Sequence, residues 1–440
     1  MVFYSLNQCR ITMSTASEQS TARSKPGIDL FSNMPSELIE NILGFVPLGD
    51  AVRTSALSRR WRKVWLKLPK LMFDATFGEV KAGVTSSEKL LLVMYRVLLA
   101  RKAPIHELAL SVPGLGSCSE IDQFAEIASE KGVRKLAIEF PNGTSHMLHS
   151  SVFSCLELTH LRLRGCNIKP PPSFKGFSNL LSLTLGGVSI TADVLLNLIS
   201  LSPLLEWLHI DGSAGCDILV VNSLRLKSFH CFAHFDTLIH VASPALVNVS
   251  MISNVPRGKF EEKHTMLQSV DFLHPVQTFT LDYYYLEILV KAGSNFTFKH
   301  LRILRLNGIS FPKTNEVKCV LLFISNCPVL QKVRIELSPR YVNVMALGMD
   351  DVEFYKGMWE KDLSSCPLRE VDMRYLTGSW PELEFMKLLL SKLLLLQTLV
   401  IHPYFKMVTD GGLGILKEVS QFPRSSPRAI VKFRDQKVKY

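Results

Sequence analysis

No two of the nine cysteines stand in a Cys-x-x-Cys pair, and the chain has no Gly-rich phosphate loop, no His-Glu-x-x-His and no Gly-x-Ser-x-Gly. The usual carriers of redox, nucleotide, zinc-protease and serine-hydrolase chemistry are therefore missing. Long apolar runs are missing too. The longest, 388–401, is broken by Ser391, Lys392, Gln397 and Thr398, and is too short and too polar to span a bilayer. Acidic residues are scarce at the front, where Glu18 alone precedes Asp29. Residues 1–27 are rich in Ser, Thr and Gln without an apolar core of signal-peptide length, and read as a disordered tail. An organellar transit peptide is the alternative reading of that composition.

What is present is globular in composition. Of 440 residues, 47% are hydrophobic and 20% charged, which is too long a chain for one ordinary core and calls for two or three domains or a repeat array. The net charge of +11 is compatible with nucleic acid or an anionic surface. The Lys and Arg residues are spread over all segments, so a plain basic surface is expected and nucleic acid is not. Cys155, Cys166, Cys231 and Cys327 occupy apolar or turn positions, as buried thiols do in a reducing, intracellular compartment. His230, Cys231 and His234 suggest metal ligation, but Cys231 falls on the apolar face of a strand, so packing is the preferred reading. No metal and no cofactor are expected.

The clearest pattern runs from Leu158 to Ile168, Leu-Thr-His-Leu-Arg-Leu-Arg-Gly-Cys-Asn-Ile. A short strand followed by a tight turn is the unit of a leucine-rich repeat. The template apolar-x-x-apolar-x-apolar starts again at Leu68, Ile105, Val133, Leu180, Leu205, Leu226, Leu246, Val276, Leu301, Leu330, Leu368 and Leu396. Spacings run from 20 (Leu226 to Leu246) to 38 (Leu330 to Leu368). Helical segments lie between: Thr191 caps 192–201, Asn315 caps 316–325, and a helix is expected over 86–102. Pro203, Pro244, Pro328 and Pro367 stop the chain before the next strand. The expected unit is strand, turn, helix and proline return, and stacked units share one core. The fold class is α/β, a solenoid with a curved parallel sheet and outer helices. Side chains that alternate with the core ones face solvent, which makes His160, Arg162, Arg164, Ser182 and Thr184 the candidate target-facing residues. Tyr283, Tyr284 and Tyr285 end a strand as core or edge packing in preference to an aromatic contact patch. Residues 340–360 form a loop-and-helix insertion, either a binding loop or a plain connector.

Residues 28–70 differ from the rest. Met34-Pro35-Ser36-Glu37 opens a helix on which Leu38, Ile39, Ile42, Leu43, Phe45 and Val46 cover an arc of about 160°. Pro47 ends it, Gly49 or Asp50 starts a second, and Ser58 caps a third carrying Trp61, Val64 and Trp65. Three short helices cannot bury so many large side chains alone. The excess faces either the next domain or another protein.

The run Asn33-Met-Pro-Ser-Glu-Leu-Ile-Glu-Asn-Ile-Leu-Gly-Phe-Val-Pro-Leu-Gly-Asp-Ala-Val-Arg-Thr-Ser-Ala-Leu-Ser-Arg-Arg-Trp-Arg-Lys-Val-Trp resembles an F-box along the whole motif, with Met34 where Leu is commoner. The ending Trp-x-x-x-Trp, then Leu-Pro-x-Leu-x-Phe-Asp, is similar to the plant class. Towards the other end, Cys366-Pro-Leu-Arg-Glu-Val, an apolar helix over 382–395, Leu396-x-x-Leu-x-Ile and Phe422-Pro-Arg-Ser-Ser-Pro resemble the FBD region that follows leucine-rich repeats in plant F-box proteins. The resemblance implies a tail (1–27), an F-box (28–70), a repeat array (71–360) and an FBD-like region with terminal repeats (361–440) that caps the open end of the array. It implies a non-catalytic subunit that recognises substrates for a Skp–cullin–F-box ubiquitin ligase. Pro35, Leu38, Ile39, Ile42, Leu43, Leu48, Val52, Leu57 and Trp61 would bind a Skp-type adaptor or support that surface. Through the adaptor a cullin is engaged, and the repeats hold a target protein. The other reading is a leucine-rich-repeat scaffold with no ligase role, in which the front helices only cap the array. Arg59, Arg60, Arg62 and Lys63 read as the solvated face of the third helix.

Overall fold

The computed structural model describes residues 34–57, 61–74, 87–101, 103–111, 119–140, 146–212, 218–233, 237–253, 266–267, 273–292, 298–338, 349–408 and 410–434. The expected tail at 1–27 lies outside them. The described residues begin with two helices, α1 (Ser36–Gly44) and α2 (Leu48–Arg53). Each follows a proline whose carbonyl takes the first helical bonds: Pro35 from Leu38 and Ile39, and Pro47 from Asp50 and Ala51. Proline fits there because its missing N–H would have no partner. The third helical run, Trp61–Lys67, is a 3₁₀ helix and not the expected α-helix. Side chains three apart eclipse in that geometry, so Trp61 and Val64 are buried one above the other. Ser58, the expected cap, lies outside the described residues.

Fourteen strands then pair in one sheet, every neighbour parallel and in chain order. They run Lys70–Phe73, Glu107–Leu110, Lys135–Glu139, His160–Arg164, Ser182–Gly186, Trp207–Asp211, Ser228–Phe232, Asn248–Ile252, Thr278–Asp282, Ile303–Ile309, Lys332–Leu337, Glu370–Leu376, Thr398–Pro403 and Ile430–Phe433. Each template start found in the sequence lies two residues ahead of one of these strands. Leu161 is in register with Leu136 on one side and Leu183 on the other. Such contacts run through a single buried cluster from Leu48 to Ala429. A strand side chain on the covered face gains roughly 1.5–3 kcal/mol from burial, and it does so only with a rung on each side.

The covered face departs from the expected unit in three places. Among the described residues between Trp207 and Leu267 the outer layer is a second parallel sheet, Ile218–Asn222, Thr237–Ala242 and Met266–Leu267, in place of helices. Only 20 residues separate Leu226 from Leu246. That span has room for a short outer strand and not for a helix with its two turns. Tyr283, Tyr284 and Tyr285 start the helix Tyr283–Ala292; they do not end a strand. Tyr285 is fully buried, and its hydroxyl donates to the Ala233 carbonyl at 2.8 Å. Prolines do more than stop helices. Pro203, Pro244 and Pro328 sit second in turns closed by N–H bonds from Leu205 to Ser202, Leu246 to Ser243 and Leu330 to Cys327, where a fixed φ is already correct.

Helices at Ser87–Leu99, Ala192–Ser200 and Thr314–Ser325 match the expected ones. In the last of them Lys313 takes the cap position and Asn315 lies inside the first turn. The insertion carries the helix Met349–Gly357, with Tyr355 buried and donating to Phe311 O at 2.6 Å; 339–348 lie outside the described residues. The FBD-like segment continues the sheet with three more strands. The helix Trp380–Lys392 covers them, and the helix Leu413–Ser420 packs against it. Its last strand, Ile430–Phe433, pairs on one side only and leaves Ile430 exposed. The segment therefore extends the array, and among the described residues nothing pairs beyond that edge.

The sixth position counted from a strand's start often turns left-handed, with φ of 66° at Gly165, 54° at Gly187 and 58° at Gly212, each just past its strand, and 68° at Gly308, at a register shift within Ile303–Ile309. A Cβ on Gly165 would also sit well inside contact distance of the Phe140 carbonyl oxygen. Gly165→Ala is expected to cost about 1–3 kcal/mol in urea denaturation. A variant as stable as the parent contradicts this account of the turn.

Candidate functional site

Two surfaces gather the predicted residues. On α1 the apolar arc divides. Ile39 and Leu43 point inward and pack with Ala51, Trp61, Val64 and Leu68 in a small core. Leu38 and Ile42 stand one turn apart on the other flank and are 51% and 44% exposed. Phe45, one further turn on, is 86% exposed, and Leu57 is 66% exposed. Of the nine residues assigned to this surface, Pro35, Leu38, Ile42 and Leu57 are open, Val52 is half-buried, and Ile39, Leu43, Leu48 and Trp61 are buried supports. Phe45 was missed from the nine, although its place in the arc marked it. Four large exposed apolar side chains within 20 residues are more than a monomer surface usually shows in one place. Lys63 is exposed; Arg59 and Arg60 lie outside the described residues.

The front helices are joined to the first rung without a linker. Leu48 packs in the core of the array, Leu68 in that of the front helices, and Trp65 against both. Arg101, at the end of the helix Ser87–Leu99, is 1% exposed. Its guanidinium donates to the Leu68 carbonyl and, at 3.4 Å, to that of Trp65. It thereby satisfies the Leu68 carbonyl just past the end of the 3₁₀ helix, while the Trp65 carbonyl also accepts from the Leu68 N–H. Burial pushes its pKa down to about 10, which leaves it charged at neutral pH. The seam holds the two surfaces in one orientation.

The second surface is the open face of the sheet. His160, Arg162, Ser182 and Thr184 line a shallow groove of about 240 Å³, together with Glu107, Ala109, Lys135 and Ala137. The small side chains of Ala109 and Ala137, in register with Arg162, make its floor. Arg162 Nε lies 2.5 Å from Glu139. Arg164 lies on the same face beyond the groove, 4.0 Å from Asp211. Further along, Trp207 stacks on His230 at 4.4 Å, with His209 beside it at 6.1 Å. On later strands a cluster that sequence reasoning missed surrounds the buried Asp372. Arg334 Nε approaches it at 3.1 Å, Arg374 Nε at 3.2 Å and His402 Nε2 at 3.3 Å. Burial opposes the charge of Asp372, but the hydrogen bonds from Arg374 and the charges of Arg374, Arg334 and His402 hold its pKa below the ordinary carboxylate range. Its signal was available as the alternating positions of the template copies at Leu330, Leu368 and Leu396.

Among the described residues the cysteines are buried. Burial pushes the thiols of Cys155 and Cys319 up to about 11 and those of Cys166 and Cys327 to about 12, which disfavours the nucleophilic thiolate. Cys231 is buried in the core of the array, and His234 lies outside the described residues. Among the described residues no three His, Cys, Asp or Glu side chains are grouped to hold a metal ion, and no helix is long and apolar enough to cross a membrane.

Comparison with known proteins agrees with this layout. The F-box domain family matches residues 31–72, and a family described as the leucine-rich repeats of an FBD-associated F-box protein, At5g56370, matches 121–335. The chain is 29% identical over 418 residues to F-box/FBD/LRR-repeat protein At1g13570 of Arabidopsis thaliana, covering 92% of this chain and 98% of that one. It is 28% identical over 342 residues to the putative F-box/FBD/LRR-repeat protein At4g13965 of the same plant, covering 71% and 76%. Against the putative F-box/LRR-repeat protein At5g54820, also from Arabidopsis, identity is 26% over 368 residues, covering 70% and 76%.

Burial pushes His146, His160, His209, His230 and His402 below the ordinary imidazole range. The unfolded chain protonates them near pH 6.5, whereas the folded chain keeps them neutral to lower pH. As pH falls below about 6.5 the unfolded state binds more protons, so stability drops. Asp282, pushed up to about 6 by burial, acts in the opposite sense over this window, so the check is a difference: from about pH 7.5 to 5.5 the urea midpoint of His402→Gln is expected to rise relative to that of the parent. A gap between the two midpoints that does not change with pH contradicts the assignment.

Proposed function

The chain belongs to the plant F-box/FBD/leucine-rich-repeat family, and on that basis we propose that it is the substrate-recognition subunit of a Skp–cullin–F-box ubiquitin ligase. The exposed side chains of Leu38, Ile42, Phe45 and Leu57 bind the Skp-type adaptor, with Pro35 at the rim and Ile39, Leu43, Leu48 and Trp61 as the buried scaffold. The observation that carries the reading is this unpartnered apolar flank on an F-box that is locked to the array. Central apolar anchors of this kind supply most of the energy of an interface.

The open face of the array binds the target, in a region that includes His160, Arg162, Arg164, Ser182 and Thr184. The protein itself makes and breaks no bond. It raises the local concentration of target lysines near the ubiquitin-carrying subunits of the ligase. The rigid seam serves this purpose, because a fixed distance between the two surfaces keeps the target within reach. We place this work inside the cell, in the cytoplasm or nucleus.

Leu38→Asp with Ile42→Asp is expected to abolish capture of a recombinant Skp-type adaptor by the full chain while leaving its urea midpoint unchanged, because both side chains are already half in solvent. Ile39→Asp, at a fully buried position, is expected to lose capture and stability together. A wild-type chain that captures no such adaptor favours the scaffold reading.

A further inference from the structure

The charges on the open face are not evenly compensated. In the early rungs Lys70 pairs with Glu107, Arg162 with Glu139 and Arg164 with Asp211. In the late rungs the open-face carboxylates are already engaged. Asp372 holds Arg334, Arg374 and His402, Glu336 lies 3.5 Å from Arg374, and Glu370 lies 2.7 Å from Lys332. Arg305 is in register with Arg334 on the neighbouring strand, yet among the described residues no carboxylate lies within ion-pairing distance of it. It is half-buried, and burial together with the Arg334 charge disfavours its protonated form, but a guanidinium stays charged at neutral pH. Lys432, in register with Val400 on the last strand, is a further cation with no carboxylate in reach among the described residues.

A second feature lies beside this cluster. Tyr375 follows Arg374 with φ of 61°, the only left-handed residue among the described ones that is not glycine. It occupies the turn position that Gly165, Gly187, Gly212 and Gly308 fill elsewhere, and its ring meets Tyr404 edge-on at 6.0 Å. A side chain held in this backbone region is strained, and such residues gather at binding sites.

We propose that the open face of the strands Ile303–Ile309, Lys332–Leu337, Glu370–Leu376 and Thr398–Pro403 binds an acidic segment of the target polypeptide, with a carboxylate seated between Arg305 and Arg334. The inference rests on the reading that the open face receives the target, and it moves the anchor from the groove at His160 to the far half of the array. Parallel strands lie about 4.8 Å apart, so two guanidinium groups in register bracket one carboxylate, and charge-assisted bonds of this kind are the strong ones. Arg334 is held in place by Asp372, which fixes one half of the bracket before the target arrives. A nucleic-acid backbone needs a continuous track of cations, and here Glu336, Glu370 and Asp372 interrupt it.

The test uses the full chain and a fluorescein-labelled octaglutamate peptide, read by fluorescence anisotropy. Binding is expected to weaken with added salt, to fall about tenfold in Arg305→Ala, and to change by less than about twofold in Lys291→Ala, on the outer helix Tyr283–Ala292. Arg305→Lys, which keeps the charge but not the fork, is expected to fall between. The urea midpoint of Arg305→Ala should match the parent, because no ion pair among the described residues is lost with the side chain. The proposal is overturned if the parent does not bind the peptide, if Arg305→Ala binds as tightly as the parent, if Lys291→Ala weakens binding equally, or if a DNA duplex displaces the peptide at equal charge. Adaptor capture is measured on the same preparations. Capture without peptide binding removes this inference and leaves the F-box reading in place.

Discussion

A single rung of this protein cannot exist alone. Leu161 and Leu163 are buried because Leu136 and Ile138 lie beside them on one strand and Leu183 and Leu185 on the next. Repeated along the chain, that dependence produces fourteen parallel strands in sequence order, one face covered and the other open. The open face is a by-product of the geometry, since alternate side chains must point away from the core. It offers a broad surface whose chemistry is free to vary, and the two ends of the stack are where the array must meet something else. At one end that neighbour is the F-box.

The joint with the F-box turns a folding requirement into a mechanism. Trp65 belongs to both cores, Leu48 reaches into the array, and Arg101 caps the last carbonyls of the front helices from within the first repeat. Removing the guanidinium would take its side-chain donor from the buried Leu68 carbonyl, a loss of the kind that costs more than the bond itself is worth. On the proposed function such a joint matters, because a flexible one would spread the target over positions from which transfer cannot occur.

The repeating core was legible in the sequence because burial on two sides imposes a strict pattern; the template starts from Leu68 to Leu396 each lead into a strand. The outer layer was less legible. Whether a connector folds as helix or strand depends on its length, and the short ones around Leu219 and Val221 look as apolar as a helix would. Tyr285 lies in the core as expected, but on a helix and not at a strand end, since a strand's last residues do not announce the helix that follows. On α1 the periodicity showed an apolar arc but not that it divides, with Ile39 inward and Leu38 outward. That division is decided by the position of Trp61, which periodicity does not contain. The alternation placed Arg305, Arg334, Asp372 and Arg374 on the open face, but only the strand register brings them together.

The central claim is that the two surfaces are separate and act through one rigid body. The most direct measurement is amide hydrogen exchange of the full chain with and without a recombinant Skp-type adaptor. The account predicts slower exchange across α1 and α2, residues 36–53, and no change across the strands at 160–164, 182–186 and 303–309. Protection of those strands by the adaptor, or none at the front helices, would contradict it.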